Sequence, residues 1–363
     1  MARYPKRFKS LRLGFVPLAD CAPLVVAQEL NIFAKYGLSV TLSRQIGWAT
    51  VRDKIIYGEL DASHAVAGLP FAATLGLGAA PCECLTGLVL NLHGNAITLS
   101  SELYDLGVRN AASLRDVIAR FRNKRMFVFG IVFPSSSHNF LLRQWLQTGG
   151  IDPDHDVRIV VVPPPQMFAS LKAGTLDGYC VGEPWNSVAV QARAGWCVAT
   201  SAELAPLHPE KVLMVRRSFA EQQPEAHRAL IAALLEACEY CDREENREQL
   251  VSLLARPQYL NASEESLRPG LLGQFGFGHG RVERVPRFNI FHRDDANEPS
   301  AQRAAWVLNH MRRSGVDALP DMPASLISQV FCMETYEEAR QLINQTPKHE
   351  HGTIENPVLV TQA

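Results

Sequence analysis

Five short segments carry the side chains best able to hold a small ligand. Phe133-Pro134-Ser135-Ser136-Ser137-His138 sets three hydroxyls and an imidazole at an expected helix start. Free N–H groups and the helix dipole favour an anion there, although one serine can simply cap the helix while the rest face water. Gly47-Trp48-Ala49-Thr50 stands at a second strand-to-helix junction. Trp48 offers a flat wall and one N–H donor, and ordinary core packing is the plainer use of an indole. Asn91 to Thr98, with Gly94 and Asn95, follows an apolar stretch and reads as a strand end that can be a turn, a hinge or a ligand contact. Glu183 in Gly182-Glu183-Pro184-Trp185 could pair with a cation or orient a donor, but would repel an anion directly. Lys211, after His208-Pro209-Glu210, could bring a positive charge to a cleft, although most loop lysines are only solvated. The set suits binding better than catalysis. G-x-S-x-G, Walker A and H-E-x-x-H are missing from the sequence, and Gly276 to Gly280 is glycine-rich without a preceding expected strand.

The elements that must position these residues occur twice in the same order. Residues 11–70 read strand, helix, strand, helix, strand: LRLGFVP, APLVVAQELNIFAKYG, LSVTL, ATVRDKIIYGEL with Thr50 as a possible cap, and DASHAVAG. Residues 126–185 repeat this with MFVFGIVFP, SHNFLLRQWLQTGG with a serine cap and glycine stop, VRIVVVP, PPQMFASLKAGTL opening on proline, and DGYCVGEPW. Gly58-Glu59-Leu60-Asp61-Ala62 answers Gly174-Thr175-Leu176-Asp177-Gly178. The expected fold is therefore two α/β lobes with open parallel sheets and a ligand cleft between them. Expected boundaries are 10–98 plus 208–345 for lobe one, 99–207 for lobe two and 346–363 for a loose tail. Lobe one would end in helices over 223–256 and 300–315, with an irregular loop over 268–295.

The totals narrow the function. A net charge of −1 over 363 residues gives no basic field for nucleic acid, and no run of about 18 apolar residues spans a membrane. Eight cysteines, including Cys82/Cys84 and Cys238/Cys241, lack the further ligands a zinc site needs and read as reduced thiols. No metal or cofactor is expected. The N-terminal stretch is interrupted by Arg12, Pro17 and Asp20, so it reads as a first core strand rather than a leader, and a cytoplasmic location is expected.

The stretches from Gly47 to Lys54, Gly58 to Ala62, Val162 to Met167, Cys180 to Asn186 and Phe288 to Arg293 resemble the nitrate/bicarbonate-binding proteins of ABC transporters over about residues 10–345. That resemblance implies a type II periplasmic-binding-protein fold and a nitrate or nitrite site at Trp48, Gly94, Asn95, His138 and Lys211, with Ser136 and Glu183 behind them. Asn95 stands where the nitrate binder has a glutamine amide. Bicarbonate-binding relatives carry an acid near the position of Lys211 and use it with calcium, so lysine implies nitrate or nitrite. The start of the chain resembles a cytoplasmic nitrate sensor that restrains an RNA-binding ANTAR-type antiterminator and releases it on anion binding. The alternatives are the solute-binding component of a nitrate, bicarbonate or sulfonate transporter, or an enzyme on the same fold with Cys21 in the cleft.

Overall fold

The computed structural model describes residues 10–315, 319 and 323–345. Fourteen strands are formed among these residues: β1 (Leu11–Phe15), β2 (Val40–Arg44), β3 (Ala62–Val66), β4 (Cys84–Leu85), β5 (Val89–His93), β6 (Asn95–Ser100), β7 (Val128–Ile131), β8 (Arg158–Val161), β9 (Gly178–Gly182), β10 (Gly195–Thr200), β11 (Pro209–Arg216), β12 (Gln274–Gly278), β13 (Arg281–Arg284) and β14 (Asn289–Ile290). One sheet runs β14-β5-β11-β3-β1-β2, with β4 beside β11; the other runs β10-β6-β9-β7-β8. Within them, β1 is parallel to β2 and β3, and β7 is parallel to β8 and β9. The two repeated units thus share one strand order.

The sheets are mixed rather than parallel throughout. β11 pairs antiparallel with β3 and β5, and β6 pairs antiparallel with β9 and β10. These additions change where the chain switches sheet. β6 already belongs to the second sheet, so the first crossing is at His93–Gly94 rather than at 98–99. His93 and Gly94 both take positive φ, 64° and 98°. A Cβ on Gly94 would also lie 3.2 Å from Asn289. The chain returns through Leu207, at φ 63°. There the Leu207 N–H donates to His93 Nε2 at 2.6 Å while His93 Nδ1 meets the Arg287 carbonyl at 2.9 Å, tying the two crossings together.

Several local expectations change. The helix expected over 22–37 breaks at Asn31, which is left-handed, into Ala22–Glu29 and Ile32–Lys35. Gly47, not Thr50, precedes the helix Trp48–Ile56, so Thr50 lies inside it. The long C-terminal helix divides into Pro224–Asp242 and Arg247–Ala255. Residues 268–295 are not simply a loop: they carry the end of the helix Glu264–Leu272, the β12–β13 hairpin and β14. Gly276–Gly280 forms part of that hairpin, where Phe275 and Phe277 are buried against Phe288. The expected tail, 346–363, lies outside the described residues. Among the described residues no helix is long and apolar enough to cross a membrane.

Candidate functional site

Strand ends and helix starts from both lobes meet in one buried polar cluster. The first lobe supplies Asp20 from the 3-10 turn Ala19–Cys21, Trp48 from the start of its helix, His64 from β3, and Glu210 and Lys211 from β11. The second lobe supplies Asn95 from β6, and Ser137 and His138 from the first turn of the helix Ser137–Thr148. Ser136 caps that helix: its hydroxyl accepts from Asn139 N at 3.3 Å and donates to the Phe133 carbonyl at 2.6 Å. The lobes are closed over the cluster. Ser137 Oγ donates across the cleft to Glu210, and Ala19 N donates to the Glu183 carbonyl at 2.8 Å. At Gly68 a Cβ would come within 2.1 Å of the Ser135 carbonyl, so only glycine fits that approach.

Lys211 organises the electrostatics. Its Nζ lies 2.7 Å from Asp20 Oδ2, 2.6 Å from Glu210 Oε1 and 5.6 Å from the Trp48 ring centroid. His64 Nε2 meets Asp20 Oδ1 at 2.8 Å, and His208 Nε2 meets Glu210 Oε2 at 3.2 Å. Burial alone would push both carboxyls up. Lys211 and the histidines overcome it, holding Asp20 below and Glu210 well below the usual carboxylate range. Burial likewise works against the Lys211 charge, and the two carboxylates more than restore it.

Among the described residues of the cluster, Trp48 Nε1, His64 Nδ1, both ring nitrogens of His138 and Asn95 Oδ1 have no hydrogen-bond partner. Each residue is buried, and a buried polar group left unpaired costs about 1–3 kcal/mol. Donors from Trp48 and His138, beside an ammonium, form a place for a small acceptor-rich anion. Burial lowers the His138 ring to about 4, so it is neutral in this arrangement. Among the described residues no group of three or more His, Cys, Asp or Glu is arranged to hold a metal ion.

Of the residues singled out from sequence, Trp48, Asn95, His138 and Lys211 converge here. Asn95 Nδ2 lies 3.4 Å from Ser137 Oγ. Gly94 shapes the crossing and packs against Asn289. Glu183 has no cation partner: Oε2 accepts from Ser187 N at 3.3 Å, Oε1 is unpaired, and burial pushes its carboxyl up to about 7. Cys21 is fully buried, and burial beside Asp20 pushes its thiol up, the reverse of an activated nucleophile. Sequence reasoning missed Asp20 and Glu210. Lys211 is therefore not a lone loop cation but a strand residue shared between two acids. An acid does stand beside it, which removes the simple contrast of lysine for nitrate against acid for bicarbonate.

Comparison with known proteins agrees with this architecture. The NMT1-like family matches residues 5–255. The nitrate import ATP-binding protein NrtC of Synechocystis sp. is 41% identical over 333 residues, 91% of this chain but 50% of that protein. The chain thus spans about half the length of such relatives. The nitrate/nitrite binding protein NrtA of Nostoc sp. is 33% identical over 92% of this chain and 77% of its own length. The crystal structure of the periplasmic nitrate-binding protein NrtA from Synechocystis PCC 6803 superposes with a TM-score of 0.88 at 30% identity, covering 93% of this chain and 91% of that one. The two lobes are those of a periplasmic-binding-protein fold.

Proposed function

We infer from the chain's place in the NMT1-like family, to which it belongs, that it is a nitrate-binding module working with an ABC-type import system. One observation carries the choice of ligand: buried, unpartnered donors on Trp48 and His138 face a site organised by the Lys211 ammonium where the lobes meet. Nitrate has three weak acceptor oxygens and no proton to give. It can take the indole N–H, an imidazole N–H and the remaining N–H of the ammonium. Asn95 closes one wall from the second lobe, and Gly94 lets the backbone turn there. Nitrite fits the same donors.

The relatives' names tie them to nitrate import, bicarbonate transport and nitrate/nitrite binding. The import reading therefore takes precedence over the expected antiterminator sensor. The partner we propose is an ATP-binding subunit or domain of the importer.

Isothermal titration of the protein with nitrate, nitrite, bicarbonate, sulfate and chloride, with and without calcium, tests the assignment. One-to-one binding of nitrate or nitrite, calcium-independent and tighter than that of bicarbonate and sulfate, is expected. Calcium-dependent bicarbonate binding with no response to nitrate would reverse it.

A further inference from the structure

The charges around the site do not leave room for an extra negative one. Asp20 and Glu210 are each in contact with the single ammonium of Lys211. His208 stands beside Glu210, its Nδ1 2.8 Å from the Ala205 carbonyl and its Nε2 3.2 Å from Glu210 Oε2. Even with His208 counted as positive, two cations face two carboxylates, and the cluster has no surplus positive charge. A monoanion sealed into it would be an uncompensated charge in a low-dielectric space, which is strongly disfavoured.

One neighbouring group can remove that cost. His138 has two ring nitrogens without a partner, is fully buried, and lies with Nδ1 3.7 Å from Glu210 Oε1. The charged and titratable groups that act on it are Glu210, Lys211 and His208 on and just before β11 and Asp20 from the 3-10 turn; Ser137, next to it on its own helix, is bonded to Glu210 and to Asn95 of β6. Burial, Lys211 and the start of its own helix disfavour a positive ring, while the two carboxylates favour it. An anion within hydrogen-bond reach adds one more negative neighbour and shifts that balance toward the imidazolium.

We propose that the proton is a second ligand of this site: a monoanion enters together with one proton, which His138 takes from solvent and holds as an imidazolium against it. The inference rests on the anion-binding reading above. Balance is simple: the ring of neutral His138 gains one N–H bond, the buffer acid gives up the bond to that proton, and the imidazolium pairs with the bound anion while every other covalent bond is kept. Burial keeps the unliganded ring neutral down to about pH 4. Linkage then requires affinity to fall as pH rises, about tenfold per unit for one proton taken up, until the pH passes the ring's value in the complex.

Isothermal titration with nitrate between pH 5.5 and 8, in two buffers of different ionisation enthalpy, reads the proton directly. The expected result is about one proton taken up per nitrate at the lower pH values, and a Kd rising about tenfold per pH unit over at least part of the range. The His138→Gln variant, checked for folding by its melting curve, should bind more weakly with a flat pH profile and equal heats in the two buffers. Nitrate binding by the native protein with equal heats and a constant Kd would overturn the proton while leaving the anion site standing. Proton uptake that persists in His138→Gln would overturn the assignment to this ring. No binding of any tested oxyanion at any pH is a different failure, that of the anion reading itself, and takes this inference with it.

Discussion

Replacing Lys211 by methionine separates what the ammonium does for folding from what it does for binding. The side chain is fully buried between Asp20 and Glu210, and methionine keeps most of its length. Without the charge, two carboxylates are buried with only histidines to face them. Breaking a buried ion pair from one side costs about 3–5 kcal/mol, part of it recovered as one acid protonates. Nitrate loses one charge-assisted hydrogen bond, about 1.5–3 kcal/mol, so its Kd should rise roughly ten- to 150-fold. The pH dependence has a definite sign. Asp20 and Glu210 are held below their unfolded values of 3.8 and 4.5, so their contribution is present above that range and lost as pH falls. Lys211 is held above 10.5, so its contribution is present below that value and lost in stronger alkali. The deficit of Lys211→Met should therefore be largest near neutrality and shrink in acid. The double variant Glu210→Gln/Lys211→Met removes one acid together with the base. Its melting temperature should recover toward the native value while nitrate affinity does not. A double variant that binds nitrate as the native protein does would refute the reasoning, because the ammonium would then be only a structural counter-ion.

Three further outcomes follow from named contacts. Trp48→Phe keeps a six-membered ring but deletes the unpartnered Nε1 donor with the rest of the pyrrole ring, so nitrate affinity measured by titration should fall roughly two- to tenfold, with a lower melting temperature from the cavity left at this buried position. Gly94→Ala places a Cβ on a residue at φ 98° and 3.2 Å from Asn289, and should cost about 1–3 kcal/mol in thermal or urea denaturation. Asp242→Ala frees the N–H groups of Phe291 and Arg293 and strips a carboxylate from the buried Arg247; it should destabilise by about 3–5 kcal/mol while calorimetry finds nitrate affinity unchanged.

The doubled unit was readable because its signals are local. Gly58 and Gly174 both take positive φ, 75° and 73°, in the turn after a helix, and a strand follows each. The apolar strands before and after each helix carry their own periodicity. What escaped the sequence depends on distant partners. β6 and β11 look like any other apolar strand, and their antiparallel pairing is set by the crossings at His93–Gly94 and Leu207. The hairpin β12–β13 has a glycine-rich strand whose stability comes from Phe275 and Phe277 packing on Phe288, not from alternation.

The site divides in the same way. Trp48 and the Ser136-Ser137-His138 turn announce themselves by type and position at helix starts. Asp20 read as an interruption of an apolar segment, and Glu210 was named beside Lys211 with no role of its own. Their role appears only when β11 brings Lys211 between them. Asn95 could be placed near a crossing, but only the start of β6 beside β9 turns it toward Ser137.

A crystal structure of the protein grown with nitrate tests the central claim most directly. The account predicts planar, three-lobed density within hydrogen-bond distance of Trp48 Nε1, a ring nitrogen of His138 and Lys211 Nζ, with both lobes closed over it. Density for nitrate elsewhere, or a cleft that stays free of it at saturating concentration, would contradict the account.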